Sequence, residues 1–307
     1  MPVTRARKVR LSDLGEFGFI ERIKRRVGRT SAICGIGDDA AVLPLPSKKC
    51  LLVTTDMFIE GVHFTKLSPP IDVGHKAMAA NISDIAAMGG TPKYAVVSLG
   101  VPASCSWQFA AALYRGMTKT AKKFHVDIVG GDTVHSGKIT INITLTGEAQ
   151  KNRVIYRAGA RPGDHIFVTG PLGNSLKSGR HLKFVPRLRE AQFLLKKFMP
   201  SSMIDISDGL AQDLGHILKA SRVGAMIDEE RIPCRPGAGV NNALYDGEDF
   251  ELLFTLSPVR ARALQKIKDK RVSFYCIGEI VPGRPQMSLK TAGGLLKKIS
   301  AHGYRHF

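Results

Sequence analysis

VGHKAMAANISDIAAMGGTPKYAVVSLGVP, residues 73–102, decides how the chain is folded. Its first half is Ala-rich, spaces its apolar residues at helical intervals and closes on Gly89-Gly90, a pair suited to a helix C-cap. Its second half, 94–102, is an apolar, β-branched run that reads as a strand. A helix handed directly to a strand is half of a βα unit, and the alternation extends both ways. Upstream, LLVTTD at 51–56 reads as a buried strand that stops at an aspartate, and GIGDDAAVL at 35–43 reads as a loop. Before them, residues 1–30 form a helical lead-in built on Phe17, Ile20, Ile23 and Val27.

Downstream, 106–124 is predicted as an amphipathic helix, VDIVGGD at 126–132 as another strand ending at an aspartate, and ITINITLTGEA at 139–149 as a cleanly alternating strand. Pro and Gly then concentrate in RAGARPGD at 157–164, where a first domain should end. The second half reads as a strand at 165–170, a basic helical region to about Met199, and the motif MIDISDGL. A helix over 211–220, a short strand over 225–227, the motif DGEDFELLFTL, a helix over 259–270 and a closing strand over 272–281 follow. With 307 residues in all, the length suits two domains, predicted as 1–150 and 151–307, of α/β or α+β class. Strand order does not follow from such patterns.

Hydrophobic residues at 44% and charged residues at 23% predict a folded globular chain. No apolar run reaches the roughly 18 to 20 residues of a membrane span, and MPVTRARKVRLSD lacks a signal peptide's apolar stretch. A cytoplasmic protein without a membrane partner is therefore expected. Cys34, Cys50, Cys105, Cys234 and Cys276 are odd in number and contain no C-x-x-C pair, so reduced, mostly buried thiols are predicted rather than a disulfide framework or zinc site. The net charge of +19 fits a nucleic-acid surface, an anionic substrate or a basic surface without a partner. Its clusters, at 5–10, 22–29, 177–189 and 297–298, are not interleaved with stacking aromatics, so each reads as a solvated face and no nucleic-acid partner is expected.

Against that basic background, Asp38, Asp39, Asp56, Asp84, Asp132, Asp205 and Asp208 sit at predicted element ends beside Gly, Ser or Thr. Singly, each reads as a cap or turn residue. Brought together they would repel unless cations lay between them, and Mg²⁺ prefers carboxylate, hydroxyl and phosphate oxygens. The chain has no G-x-x-x-x-G-K-[ST] motif and no H-R-D with D-F-G, so a nucleotide would be held by another scheme. GIGDDA is too weak a match to a dinucleotide fingerprint to carry one.

GIGDDAAV (35–42), TTDMFIEGVHF (54–64), NISDIAAMGG (81–90), VGGDT (129–133), RAGARPGD, DISDGL (205–210), DGEDFELLF (246–254) and GYRHF (303–307) resemble, in this order, the thiamine-monophosphate kinase family. The likeness runs from about residue 15 to the end of the chain, and the ordered set is specific although each piece alone is not. The resemblance implies an aminoimidazole ribonucleotide synthetase-like fold of α+β class. An N-terminal mixed-sheet domain would bind ATP and magnesium and dimerise through its sheet, and a C-terminal α/β domain would follow. It implies a homodimer, several Mg²⁺ ions, and ATP and thiamine monophosphate as substrates.

By position, Asp39, Thr54, Asp56, Asp84, Asp132, Asp205 and Asp208 match the family's magnesium ligands, with Thr55 in the same segment. Gly131, Asp132, Arg157 and Ser207 match ATP contacts, and His63, Glu248 and Tyr304 match contacts to the phosphorylated acceptor. Asp56, Asp132, Arg157 and Asp208 would be catalytic. Arg157 can fork onto phosphate oxygens, Tyr304 can stack on a cationic ring, and Glu248 can complement its charge. Outside the family such residues read as a surface Arg, a packing anchor and a structural His at 63. The acceptor is a phosphate monoester whose second pKa is about 6, so no general base is needed and direct in-line transfer is implied. The stretch LKSGRHLKFVPRLREAQ at 176–192 departs from the pattern, being short and basic where relatives carry a longer Ala-rich helix. The competing readings are a sister ATP-dependent enzyme with another small substrate and, from a different class, a basic nucleic-acid-binding protein.

Overall fold

The computed structural model describes residues 9–267, 269 and 272–304. Its first sheet has five strands: β1 (Ala41–Pro44), β2 (Lys49–Ile59), β3 (Thr91–Val101), β4 (Asp127–His135) and β5 (Thr140–Gln150). They lie in the order β1-β2-β5-β3-β4, with β3 and β4 parallel and the other pairs antiparallel. Alternation places Cys50, Leu52 and Phe58 of β2 in one core with Ala95 and Val97 of β3 and Ile141 and Ile143 of β5. Two helices cover that face, α2 (Pro70–Ala87) and α3 (Trp107–Lys123), the latter capped by Ser106, whose hydroxyl accepts from the Phe109 N–H.

The second sheet has seven strands: β6 (His165–Val168), β7 (Ser202–Asp205), β8 (Gly224–Asp228), β9 (Leu252–Leu256), β10 (Tyr275–Val281), β11 (Met287–Lys290) and β12 (Leu296–Ile299). Their order is β12-β11-β8-β10-β6-β9-β7, and only β8 with β11 is parallel. Around it lie α4 (Leu188–Lys197), α5 (Leu210–Ser221), α6 (Val240–Tyr245) and α7 (Pro258–Gln265), and α1 (Leu11–Val27) precedes the first sheet.

Helix α2 joins the two halves. Thirteen of its 18 residues are buried, which a helix exposed on one side cannot achieve. Ala77 and Ile82 belong to the first core, whereas Ala86 and Ala87 pack with Phe167, Leu194 and Phe254 of the second half. The alanine content follows: only short side chains let two layers approach one helix from both sides.

Several expectations are corrected. Strand β2 does not stop at Asp56, because Met57, Phe58 and Ile59 go on pairing with β5, which is equally long. Strand β4 likewise runs through Asp132 to His135 beside β3. The loop at 35–43 gives way to β1 at Ala41, and the basic region at 177–199 holds one ten-residue helix preceded by a 3-10 turn at Arg180–Leu182. The strand ending at Val281 is not the last, since β11 and β12 follow. Of the five thiols only Cys50 is buried. The helix expected over 259–270 ends at Gln265; its last residues, like 1–8 and the final three of GYRHF, fall partly or wholly outside the described residues.

Candidate functional site

Period-two alternation on β2 puts Thr54 and Asp56 on the face toward α2, where Asp84 stands one helical turn past Ala80. Thr54 donates its hydroxyl proton to Asp84 Oδ2 at 2.5 Å. From the neighbouring position on α2, Ser83 donates to Asp205 Oδ2 at 2.6 Å, drawing in the last residue of β7. Asp39 enters from the turn before β1. Carboxylate oxygens of Asp39, Asp84 and Asp205, one from each, lie within 4.8 Å of one another.

One cation balances this group. Arg157 donates from Nε (3.2 Å) and Nη2 to Asp39 Oδ1, while its backbone N–H donates to both oxygens of Asp38 (3.3 and 3.2 Å). Burial opposes the charge on Arg157, but Asp39 and Asp38 beside it win and raise its pKa. The carboxyls go the other way. Burial, with Asp39 adding, pushes Asp205 up to about 8; burial, with Glu248 and Asp39, pushes Asp56 to about 6. Burial also lifts Asp84 well above the usual carboxylate range and brings Asp38 and Asp208 to about 7. Asp39 Oδ2 is sealed from solvent and has no hydrogen-bond partner among the described residues. An orphaned carboxylate oxygen among acids that resist ionising together is the donor set a hard divalent cation would satisfy.

The cluster forms the wall between two cavities. The larger, about 1030 Å³, is lined by Asp38, Asp39, Thr54 and Arg157 on one side and by Phe17, Gln212 and His216 on the other. The smaller, about 340 Å³, is lined by Asp56, His63, Asp84, Glu248, Phe250 and Tyr304. Thr55, Ser207 and Asp208 line both. The Ser207 segment is fixed by the next loop, as its carbonyl accepts from the Glu248 N–H at 2.6 Å. Asp208 sits at the entrance to α5, where its own N–H and that of Gly209 donate to Asp213 Oδ2, both at 3.1 Å. Carboxylate oxygens of Asp208 and Asp213 and a ring nitrogen of His216 also lie within 4.8 Å of one another. Burial, with Arg157 and Lys219, lowers the imidazole to about 4, leaving it neutral.

In the smaller cavity His63 Nδ1 accepts from the Ile59 N–H at 3.0 Å, which leaves Nε2 as the ring nitrogen that carries a proton. Tyr304, 44% exposed, is anchored through its N–H to the Asp208 carbonyl at 3.1 Å. Two sequence-named groups do not join the acidic cluster. Thr55 Oγ1 lies on the opposite sheet face, bonded to Asn142 and Thr144 at 3.2 and 3.1 Å. Gly131 and Asp132 line neither cavity; they lie on edge strand β4, which β3 and β5 separate from β2. Gly131 is glycine for a packing reason, since a Cβ there would stand 1.9 Å from the Val97 carbonyl oxygen.

Sequence reasoning missed Lys76, which is fully buried in α2 and pairs with Glu248 at 2.5 Å. It also missed Asp213 and the aromatic walls Phe58 and Phe250. A lysine inside an Ala-rich apolar helix was the available signal for the first.

Residues 37–149 match the family described as AIR synthase related protein, N-terminal domain, and residues 161–290 its C-terminal domain. The thiamine-monophosphate kinase of Rhodopirellula baltica is 35% identical, with 95% of this chain and 97% of that protein covered. That of Bacillus subtilis is 38% identical over 80% of this chain and 84% of that protein. A solved complex described as AaThiL with AMPPCP and TMP superposes with a TM-score of 0.85 at 32% identity, covering 98% of this chain and all of that one. Hydrogenase maturation protein HypE, at 24% identity and a TM-score of 0.71, shares the fold.

Proposed function

The chain belongs to the thiamine-monophosphate kinase family, and from that premise we propose how its two cavities divide the work of phosphorylating thiamine monophosphate with ATP. The observation that carries the reading is the acidic cluster standing as the shared wall of a large and a small cavity. Two anions must meet for one phosphoryl group to pass between them, and their meeting place has to be lined with groups that hold cations. The large cavity suits a nucleoside triphosphate with Arg157 and Ser207 at its phosphates. The small one suits the acceptor, with His63, Glu248 and Tyr304 around the thiamine moiety.

Asp39, Thr54, Asp56, Asp84, Asp205 and Asp208 are the residues we assign to holding Mg²⁺, which when bound would neutralise phosphate charge and polarise the transferring group. Arg157 orients: its Nε and Nη2 already hold Asp39 Oδ1, so it can lend its remaining N–H groups to phosphate oxygens without moving far. The acceptor arrives ionised, and no residue at the wall has to remove a proton from it. Direct in-line transfer without a phosphoenzyme is the economical route.

We further propose residues 1–150 as the ATP- and magnesium-binding and dimerisation domain and 151–307 as the C-terminal domain, in a cytoplasmic homodimer. Strand β2 of one copy cannot share a metal with its own Asp132, three strand spacings or about 14 Å away. We therefore assign Gly131, Asp132 and the Thr55 face of the sheet to contacts made across the dimer. The test is a magnesium-dependent assay with ATP and thiamine monophosphate that follows both thiamine diphosphate and ADP. Equimolar products from the wild type, lost in Asp56→Asn, are expected; ADP without thiamine diphosphate would sink the assignment of the acceptor.

A further inference from the structure

Beneath the floor of the small cavity, Lys76 of α2 is 1% exposed at its side chain and pairs with Glu248, 21% exposed, at 2.5 Å. The same ammonium donates to the His63 carbonyl at 2.9 Å and lies 5.8 Å from the centre of the Phe58 ring. One buried cation thus touches three separate walls of the cavity: the strand before the turn, the turn carrying His63, and the loop carrying Glu248. Burial disfavours its charge, and Glu248 and Asp56 partly restore it.

Glu248 would not hold its place unaided. Its φ of 58° is left-handed, a conformation that costs an L-residue, and Phe250 two positions on is at 49°. Its backbone is pinned by the Ser207 carbonyl and by Ser175, whose hydroxyl donates to the Glu248 carbonyl at 2.6 Å. Its side chain has Oε2 sealed from solvent against Lys76. With Oε2 committed inward, Glu248 still lines the cavity, its side chain 21% exposed.

We propose that Lys76 is a positioning residue for the acceptor: by fixing the Glu248 carboxylate in one orientation across the domain boundary, it sets the affinity for thiamine monophosphate. This rests on the reading of the small cavity as the acceptor site. Lys76 does not touch substrate and takes no part in the transfer. Removing its charge leaves a half-buried carboxylate without a counter-ion, free to turn outward, and that costs the acceptor a fixed partner.

Lys76→Met keeps the length and apolar stem of the side chain in the full-length protein. We expect KM for thiamine monophosphate to rise about thirtyfold or more, the loss typical of truncating one member of a buried charge pair, with KM for ATP unchanged. Glu248→Gln should do the same, and Lys76→Met added to Glu248→Gln should raise KM no further; this double variant buries no lone charge and guards against a single variant that fails to fold. Equal changes in both KM values, or a lowered Tm with both KM values unchanged, would reduce the pair to a tie between domains and overturn the proposal. A further large rise in the double variant would do so as well. If the wild type itself does not turn over thiamine monophosphate, the acceptor reading fails and this proposal with it, whereas normal wild-type turnover with an unaltered Lys76→Met sinks the proposal alone.

Discussion

Asp205 and its neighbours hold their protons more tightly in the fold than in the unfolded chain, and that has a sign. Burial first, then adjoining carboxylates, move Asp56 to about 6 and Asp205 to about 8 from an ordinary 3.8. The folded chain therefore binds more protons than the unfolded one between those limits, and the stability these groups contribute is lost as pH rises through the folded values. Scanning calorimetry of metal-free protein should show Tm falling from about pH 5 to about pH 8, on the order of 1 kcal/mol per pH unit for each uncoupled proton. Mg²⁺ requires the ionised form, so it should raise Tm more at the alkaline end. A metal-free Tm that climbs across this window would mean the acids are not packed together as described. The aspartates were legible in the sequence because carboxylates beside small residues stand out in a basic chain. Lys76 was passed over although a lysine in an Ala-rich apolar helix stands out, because its partner Glu248 lies far along the chain and no local pattern links the two. Thr55 could have been set apart, because alternation along β2 puts it opposite Thr54 and Asp56.

At the scale of elements, α2 carries the site and α3 holds α2 in place by a contact between backbones. A Cβ on Gly116 would stand 1.9 Å from the Ile71 carbonyl oxygen, and one on Gly74 2.0 Å from that of Leu113. No side chain can yield there, so Gly116→Ala must push the helices apart. Urea unfolding should show a loss of about 3 kcal/mol, the upper end for overpacking, and turnover should fall with it because Asp84 moves. An unchanged midpoint would show that the crossing is looser than drawn. Long periodic elements such as α3, bounded as its pattern predicts by Ser106 and Phe124, were readable. The six-residue α6 and the four-residue β11 and β12 were not, being too short to show a period. The basic departure at 176–192 was misread for a different reason. Arg180 and Arg187 do not face solvent as a charged stretch would; with Arg235 they close on the fully buried Glu251 and Asp249, and so brace the loop that holds Glu248 and Phe250. Glu251 lies 71 positions from Arg180 and 64 from Arg187, beyond the reach of local pattern.

For the whole molecule, the open face of the first sheet is an apolar surface that a single copy leaves uncovered. Met57, Tyr94, Val96 and Val134 are 53%, 53%, 42% and 55% exposed there, and apolar side chains gathered on one sheet face mark an interaction surface. Registers running Met57 to Asn142, Asn142 to Ser98 and Ser98 to Asp132 put Asp132 on this face, opposite the one that carries Asp56. A two-fold axis through the face would return each Asp132 to the other copy's cavities, as a self-complementary interface requires. Asp56→Asn and Asp132→Asn proteins, each inactive, then make a decisive pair. If every site takes Asp56 from one copy and Asp132 from the other, a mixed dimer holds one doubly damaged site and one intact one. Random reassortment of equal amounts should restore about a quarter of wild-type activity. If each copy uses its own Asp132, both sites of a mixed dimer stay damaged and the mixture remains as inactive as its parts, which would confine the dimer to a structural role.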